Sequence, residues 1–453
     1  MPSVYPFRAV QFAVGADVSG VVAPPYDVLD AAGKQRLLSR DARNIVAIDL
    51  PHTPAKELGP PGAYESAAAR LREQMSAGVL RRLEQPAMFA YRQTFKSADG
   101  RETRRTGMCC TVETVPFGPR AGGGILPHEE TFSGPKEDRM ALMKATRTQL
   151  SPIFGLHADE RGLATALLHK LTASRGPDHT ARTDDGTLHE VWTVSDGPTI
   201  KAYQDALAGE DVFIADGHHR YTTGLNYLRG LEASGSVPAD HAARRCMIVL
   251  VGMSDPGLVI WPTHRVLGGM TGYSLAAFEA AAKGKLAVER VPGGLKEIEA
   301  QMARAGGAGG ATGGRQGGVV GLYDFATRQC AIGRPAAADP LAARFAGKPK
   351  AWRELDVAII QYLIVEEICQ PALNGGNPVK WAFPHTIAEV EQIGSGAETG
   401  AGGGGNFAQL AVIVRPTPLQ AVRDVSRANE LMPQKSTFFY PKLATGLWVN
   451  PLE

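Results

Sequence analysis

The segment Val212-Phe-Ile-Ala-Asp-Gly-His-His-Arg-Tyr221 joins a short apolar run to the start of a helix. The branched and aromatic residues of Val212–Ala215 are typical of a buried strand. Beyond them, Tyr221, Leu225 and Leu228 recur at helical spacing. The segment therefore predicts a strand, a sharp turn and a helix.

The turn carries groups that suit an anion. Asp216 is expected to cap the helix by accepting a hydrogen bond from the backbone N–H of His218 or His219. Gly217 would let a ligand approach the backbone closely. Free amides of the first turn, the positive end of the helix dipole and the Arg220 guanidinium would then face one small volume. These features predict a phosphate site.

Two adjacent histidines allow proton transfer as well as hydrogen bonding near neutral pH. Neighbouring residues of a first turn point in different directions, so one of His218 and His219 would face the ligand and the other the scaffold. The alternative is an aspartate cap followed by incidental polar residues at an exposed helix start. A metal pair is disfavoured, since the chain has no H-E-x-x-H spacing.

Outward from this segment, strand-like and helical patterns alternate, which predicts a mixed α/β (α+β) fold. Residues 87–95 and 103–115 form two strand-like runs around Asp99-Gly100, a hairpin signal that makes the sheet mixed. Residues 44–50 are another short apolar run, which predicts a strand. Helical patterns cover residues 62–77, 160–173 and 217–234.

Breaks in composition suggest three lobes. The Gly-Pro and Asp-Gly pairs near residues 176–186 and the change near 304 predict an N-terminal lobe (1–175), a central lobe (176–303) and a C-terminal lobe (304–453). Glycine-rich residues 304–318 and 394–405 read as flexible surface insertions, because neither has the strand-to-helix context of a phosphate loop.

Composition narrows the class of protein. The chain has 453 residues, 44% of them apolar, with 48 Lys and Arg against 46 Asp and Glu. This balance predicts no nucleic acid or membrane partner, and any anion site must be local. The five cysteines form no C-x-x-C pair, and the chain shows neither a secretory leader nor an apolar run of membrane-spanning length. A cytoplasmic location is expected.

Residues 128–139 form a polar loop that leads into a second predicted helix. Lys136 and Arg139 at the start of this helix would oppose its dipole, which indicates that an anion is supplied from outside. The alternative is a solvated helix start whose charges pair with one another. The candidates for binding phosphate or a substrate carboxylate are His128, Glu129, Ser133, Gly134, Lys136 and Arg139.

Near the C-terminus, Lys435, Ser436 and Lys442 lie in an aromatic-rich tail that could close over a nucleotide. The aromatic residues Phe438–Tyr440 themselves are more typical of a core than of a cofactor platform.

Several long motifs together resemble the family called domain of unknown function 1015, over nearly the whole chain. They are Pro24-Pro-Tyr-Asp-Val28, Leu126-Pro-His-Glu-Glu-Thr-Phe-Ser-Gly-Pro-Lys-Glu-Asp-Arg139, Ser151-Pro-Ile-Phe154, Asp216-Gly-His-His-Arg-Tyr221 and Met432-Pro-Gln-Lys-Ser-Thr-Phe-Phe-Tyr-Pro-Lys442.

The Asp216–Arg220 segment is in turn similar to the signature of free-serine kinases in the ParB and sulfiredoxin-like superfamily. That resemblance implies a ParB/sulfiredoxin-like catalytic core and transfer of a phosphoryl group from ATP or ADP, with Mg²⁺, to the hydroxyl of free L-serine. Asp216, His218, His219 and Arg220 match the catalytic and phosphate-binding turn.

Those kinases use an N-terminal glutamate as the base that deprotonates serine. Asp27 and Asp49 are the candidate substitutes here, since a carboxylate near the attacking hydroxyl can take its proton. A turn acceptor at Asp27 and a strand-end turn at Asp49 are the structural alternatives.

Two rival functions follow from the same superfamily. A ParB-like regulator would bind or hydrolyse a nucleotide and bind DNA, against which the balanced charge argues. A sulfiredoxin-like redox enzyme needs a cysteine beside the arginine, where this chain has His219. The sequence leaves the oligomeric state open.

Overall fold

The computed structural model describes residues 3–54, 57–98, 100–130, 133–305, 318–396 and 407–453. These divide into two compact units, one formed by residues 1–259 with 439–453 and the other by residues 260–438. They do not coincide with the three predicted lobes, because strands from both sides of residue 176 pair in one sheet. The predicted glycine-rich insertions fall largely on 306–317 and 397–406, outside the described residues.

The strands are β1 (Val4–Tyr5), β2 (Val10–Phe12), β3 (Leu80–Arg82), β4 (Met88–Lys96), β5 (Glu102–Glu113), β6 (Ile125–Leu126), β7 (Thr148–Gln149), β8 (Ile153–His157), β9 (His179–Arg182), β10 (Leu188–Val194), β11 (Val212–Asp216), β12 (Arg245–Gly252), β13 (Val259–Trp261), β14 (Arg265–Gly268), β15 (Leu286–Val291), β16 (Val320–Asp324), β17 (Cys330–Pro335), β18 (Lys380–Ala382), β19 (Ala408–Ile413), β20 (Phe438–Tyr440) and β21 (Asn450–Pro451).

The helices are α1 (Ala31–Arg40), α2 (Val46–Asp49), α3 (Pro61–Ser76), α4 (Ser133–Thr146), α5 (Leu163–Ser174), α6 (Gly197–Ala206), α7 (His218–Ser234), α8 (Leu275–Ala282), α9 (Leu295–Ala305), α10 (Lys350–Arg353), α11 (Asp356–Ala358), α12 (Gln370–Leu373), α13 (Ile387–Ser395) and α14 (Leu419–Arg427). Short 3₁₀ turns cover Tyr26–Val28 and Ala242–Arg244, and a π-helix covers Ile359–Cys369.

A mixed sheet forms the centre of the first unit, as predicted. Its order among the described residues is β6-β11-β8-β12-β5-β4-β10-β9, with β1 also pairing β5. The pairs β6–β11 and β8–β12 are parallel, whereas the others are antiparallel. The predicted hairpin is confirmed, since β4 and β5 pair from Phe89–Cys109 to Lys96–Glu102.

Alternation along the strands gives this sheet two apolar faces. One face carries residues such as Met108 and Ile214, which pack with helices α5, α6 and α7. The other face carries Phe89 and Phe154, whose rings contact Trp448 and Phe439 of the C-terminal segment. The last residues of the chain are therefore built into the sheet that carries the central turn.

The second unit contains an antiparallel sheet of order β15-β17-β16-β19-β14-β18. Its apolar residues cluster with helix α8 and with the π-helix. Every described helix of the chain is too short or too polar to cross a bilayer.

The strand-like interpretation of residues 44–50 is wrong, because Val46–Asp49 forms a helical turn. The Asn44 side chain accepts a hydrogen bond from the backbone N–H of Val46 at 3.0 Å. Its amide also donates to the carbonyl of Val22 at 2.8 Å. These bonds satisfy the local backbone without a neighbouring strand, so this apolar run is buried as a helix.

Candidate active site

The sheet topology brings three of the sequence motifs to one end of the sheet. Strands β6 and β11 run parallel, and β8 runs antiparallel beside β11. The residues that follow β6 and β11 therefore lie beside those that precede β8. His128 follows β6, Asp216 ends β11 and Pro152 precedes β8, which explains how segments distant in sequence form one site.

The central turn differs from its prediction in one respect. The helix begins with Gly217 as its cap, at φ 90°, and no side chain caps it. The expected capping by Asp216 is wrong, because its carboxylate instead forms ion pairs with the Arg220 guanidinium and with Lys442 Nζ, the latter at 2.5 Å. A Cβ at residue 217 would lie 2.9 Å from Arg220 Nε, so glycine allows the close return of that side chain.

These ion pairs fix the charge of the turn. Burial opposes ionisation of Asp216, but the charges of Lys442 and Arg220 outweigh it and hold the pKa of the carboxyl well below its ordinary value. Arg220 also donates to the carbonyl of Pro152. The aspartate thus orients two cations at the helix start, and one negative charge is present for two positive ones.

His128 and His218 form a buried pair behind the turn. Their ring centroids are 4.8 Å apart, and the His128 backbone N–H donates to His218 Nε2 at 3.3 Å. His128 Nδ1 lies 2.8 Å from the carbonyl oxygen of Ile214. Burial lowers the pKa of both imidazoles, and for His218 the neighbouring His128 lowers it further. The pair is therefore neutral at pH 7, and His218 is the histidine that faces the scaffold.

Neutral buried histidines predict loss of stability in mild acid. Burial also lowers the pKa of His157 and of His189 to about 4. Since these folded-state values lie below the unfolded value, the unfolded chain binds protons first as the pH falls. Each such histidine makes its whole contribution to the free energy of unfolding above about pH 6.5. At about pH 5 that contribution is smaller by about 2 kcal/mol per histidine. Urea unfolding over this range measures it, and equal stability at both ends would contradict it.

Arg139 lies at the centre of a second buried network. Its guanidinium donates to the Asp49 backbone carbonyl at 2.7 Å and pairs with Asp138 at 2.6 Å. It also stacks 4.0 Å from the ring centroid of Tyr26. Asp138 Oδ1 also accepts a hydrogen bond from the Tyr64 hydroxyl at 2.8 Å, and it lies 2.7 Å from His52 Nε2. Arg139 therefore lies in the second turn of α4 rather than at its predicted place at the helix start, and a buried carboxylate holds it there.

Asp49 shares a cleft with both arginines. Burial raises the pKa of its carboxyl, against the opposing charge of Arg139. Ser151 Oγ donates to Asp49 Oδ2 at 2.9 Å. The cleft has a volume of about 40 Å³, and Tyr26, Asp49, Arg139, Ser151 and Arg220 are among its lining residues. Two guanidinium groups, a carboxyl of raised pKa and a hydroxyl therefore line a single cleft.

The other candidates of the N-terminal half lie around this centre. Asp27 is exposed in the 3₁₀ turn next to Tyr26. Glu129 Oε1 is 3.9 Å from His128 Nε2. His219 is half-buried in the first turn of α7, whereas Ser133, Gly134 and Lys136 open helix α4, three to six residues before Arg139.

The C-terminal candidates divide between the two units. Lys435 and Ser436 belong to the second unit, where their backbone carbonyls accept hydrogen bonds from Arg265 at 3.0 Å and Thr417 at 2.6 Å. Their ligand-binding role stays a prediction. Lys442 belongs to the first unit and contacts Asp216. Only its place in the tail motif pointed to this lysine, because 226 residues separate it from Asp216.

The family model described as a protein of unknown function, DUF1015, matches residues 4–358. The chain belongs to the DUF1015 family. No curated protein matches this DUF1015 chain.

Among solved structures, a free serine kinase in complex with AMP is 11% identical, with a TM-score of 0.32, covering 72% of this chain and 89% of that one. A mutant free serine kinase in complex with ADP gives the same identity and TM-score, covering 72% and 90%. C-terminally truncated SbnI from Staphylococcus aureus is 11% identical, with a TM-score of 0.31, covering 76% and 87%. These TM-scores fall below the level that indicates a shared fold.

The described residues contain no group of three or more His, Cys, Asp or Glu side chains arranged to hold a metal ion. Both Asp216 oxygens pair with cations, Arg220 and Lys442, rather than facing an open metal site. All five cysteines are buried, which leaves no exposed thiol beside Arg220.

Proposed function

We propose that this DUF1015 protein is a nucleotide-dependent small-molecule kinase that phosphorylates free L-serine to O-phosphoserine, on a ParB/sulfiredoxin-like catalytic core. The observation that carries the proposal is the cleft in which Arg139 and Arg220 lie with the buried Asp49 carboxyl. Phosphoryl transfer needs cations on the phosphoryl oxygens and a carboxylate near the attacking hydroxyl. The cleft supplies both kinds of group.

The phosphates of ATP or ADP would bind at the start of helix α7. No side chain caps this helix, and the positive end of its dipole favours an anion at this position. Arg220 and Lys442 add positive charge beside them. His219 would contact a phosphate oxygen, while the buried His218 supports the turn. Gly217 keeps the backbone accessible.

The acceptor would lie on the Asp49 side of the cleft. Its hydroxyl oxygen attacks the terminal phosphorus of the nucleotide, the bond from that phosphorus to the bridging oxygen breaks, and the hydroxyl proton passes to Asp49. The raised pKa of Asp49 suits a base that takes its proton late. Arg139, with Ser133, Gly134, Lys136, His128 and Glu129 nearby in the chain, would hold the substrate carboxylate or a phosphate.

A Mg²⁺ ion bound together with the nucleotide would supply positive charge to the phosphates. Magnesium at kinase sites is held by one or two protein carboxylates together with substrate phosphates. The buried cysteines argue against the sulfiredoxin-like rival.

Phosphorus NMR tests the proposal. Purified protein is mixed with Mg²⁺, ATP or ADP, and a panel of hydroxylated metabolites that includes L-serine. The expected result is a phosphomonoester signal that depends on L-serine. Release of inorganic phosphate without any acceptor dependence would instead indicate a ParB-like nucleotide-hydrolysing regulator and overturn the kinase.

The two candidate bases make a matched pair of variants. Asp49 is buried in the cleft, whereas Asp27 is exposed. We expect Asp49→Asn to lower kcat by about 10²- to 10⁴-fold, and Asp27→Asn to change it by no more than about twofold. Turnover assays on folded variants measure both. The reverse order of effects would assign the base to Asp27.

A further inference from the structure

Arg105 is a buried cation without an ion-pair partner. It lies on β5 and is 1% exposed. No carboxylate of the described residues forms an ion pair with it; its hydrogen bonds go to neutral oxygens instead. Burial lowers the pKa of this guanidinium to about 10. Such a residue is costly to bury, and an apolar side chain of similar size would often stabilise the fold more.

Its contacts converge on the C-terminal segment just before Lys442. Arg105 Nη1 donates to the carbonyl of Tyr440 at 3.0 Å, and Nη2 donates to that of Pro441 at 2.6 Å. Nη2 also donates to Gln93 Oε1 on the neighbouring strand. The amide of Gln93 in turn donates to the carbonyl of Lys442 at 2.9 Å. Three successive carbonyls are therefore held from the sheet.

These hydrogen bonds restrict the position of Lys442. The Arg105 guanidinium lies 4.6 Å from the ring centroid of Phe154, which fixes its plane on the sheet. Beyond the clamped backbone, Lys442 Nζ is 2.5 Å from Asp216 Oδ1. These contacts thus connect Arg105 and Gln93 of the sheet to the charged turn.

We propose that Arg105 and Gln93 are positioning residues that hold the Lys442 ammonium against Asp216. The value of this inference for catalysis rests on the proposed function, in which Lys442 contributes charge at the nucleotide phosphates. The clamp acts through backbone carbonyls, so it sets the position of the lysine without contacting substrate.

Lysine labelling tests the clamp directly. Folded native protein, Arg105→Lys and Gln93→Met are treated with an amine-acetylating reagent, and the rate at each lysine is measured by peptide mass spectrometry. We expect acetylation of Lys442 to rise about tenfold in both variants, as local opening frees its ammonium. Gln93→Met, which introduces no buried charge, serves if Arg105→Lys does not fold.

The reference amine is Lys34, which donates to the carbonyl of Pro51 at 3.0 Å in the same unit. The matched control is Arg92→Lys, on the same strand as Gln93 but paired with Glu190. An unchanged rate at Lys442, or an equal rise at Lys34, would overturn the clamp, the latter because it indicates general loosening.

Kinetics give a second readout that a merely structural role would not move. We expect Arg105→Lys and Gln93→Met to raise the nucleotide KM about tenfold, with kcat within about threefold of the native value. We expect Lys442→Met to lower kcat/KM for the nucleotide, and the added Arg105→Lys substitution to lower it no further. Full additivity would overturn the clamp. If the native protein forms no phosphomonoester, the proposed function fails, yet the labelling result still decides whether the clamp exists.

Discussion

Replacing Arg220 with alanine is expected to lower kcat by about 10³-fold or more while the protein remains folded. The guanidinium lines the cleft and lies at the start of helix α7. There it would stabilise charge that develops on the phosphoryl oxygens. A 10³-fold loss corresponds to about 4 kcal/mol of transition-state stabilisation. Phosphomonoester formation under saturating nucleotide measures it.

Stability is expected to change little in this variant, because Asp216 keeps its ion pair with Lys442. Arg229→Ala is the matched control, since Arg229 is exposed on the same helix. We expect native turnover from the control. Native turnover from Arg220→Ala as well would remove the central turn from the mechanism.

Replacing Arg139 with methionine is expected to lower the free energy of unfolding by about 3–5 kcal/mol at neutral pH. The variant leaves the carboxyl groups of Asp138 and Asp49 buried without their shared cation. Because Asp49 already has a raised pKa, protonation relieves its part of this cost. The deficit relative to native protein should therefore shrink as the pH falls toward about 5.

Urea unfolding of both proteins at each pH provides the measurement. Lys144→Met serves as control, since Lys144 is exposed on the same helix α4. A loss from Arg139→Met no larger than that of the control would show that the network does not stabilise the unit.

Local patterns predicted the parts of the site that depend on local structure. The strand, turn and helix at residues 212–234 follow from β-prone residues and helical spacing, and the structure has them at Val212–Asp216 and His218–Ser234. The Asp-Gly hairpin likewise gave the β4–β5 pairing. These elements need no knowledge of distant contacts.

Long-range contacts account for what the patterns missed. Asp216 resembles a helix cap in sequence, but Lys442 and Arg220 compete successfully for its carboxylate. The residues 44–50 look like a strand, yet the Asn44 side chain starts a helical turn. Nothing local indicates that Arg105, on an ordinary strand, would hold the backbone before Lys442.

The most direct test of the nucleotide site is a crystal structure of this DUF1015 protein with ADP and Mg²⁺. We predict that the terminal phosphate lies at the start of helix α7, within hydrogen-bond distance of the first-turn amides and of Arg220. ADP bound with its phosphates away from that helix start, while Arg220 still pairs with Asp216 alone, would contradict the account.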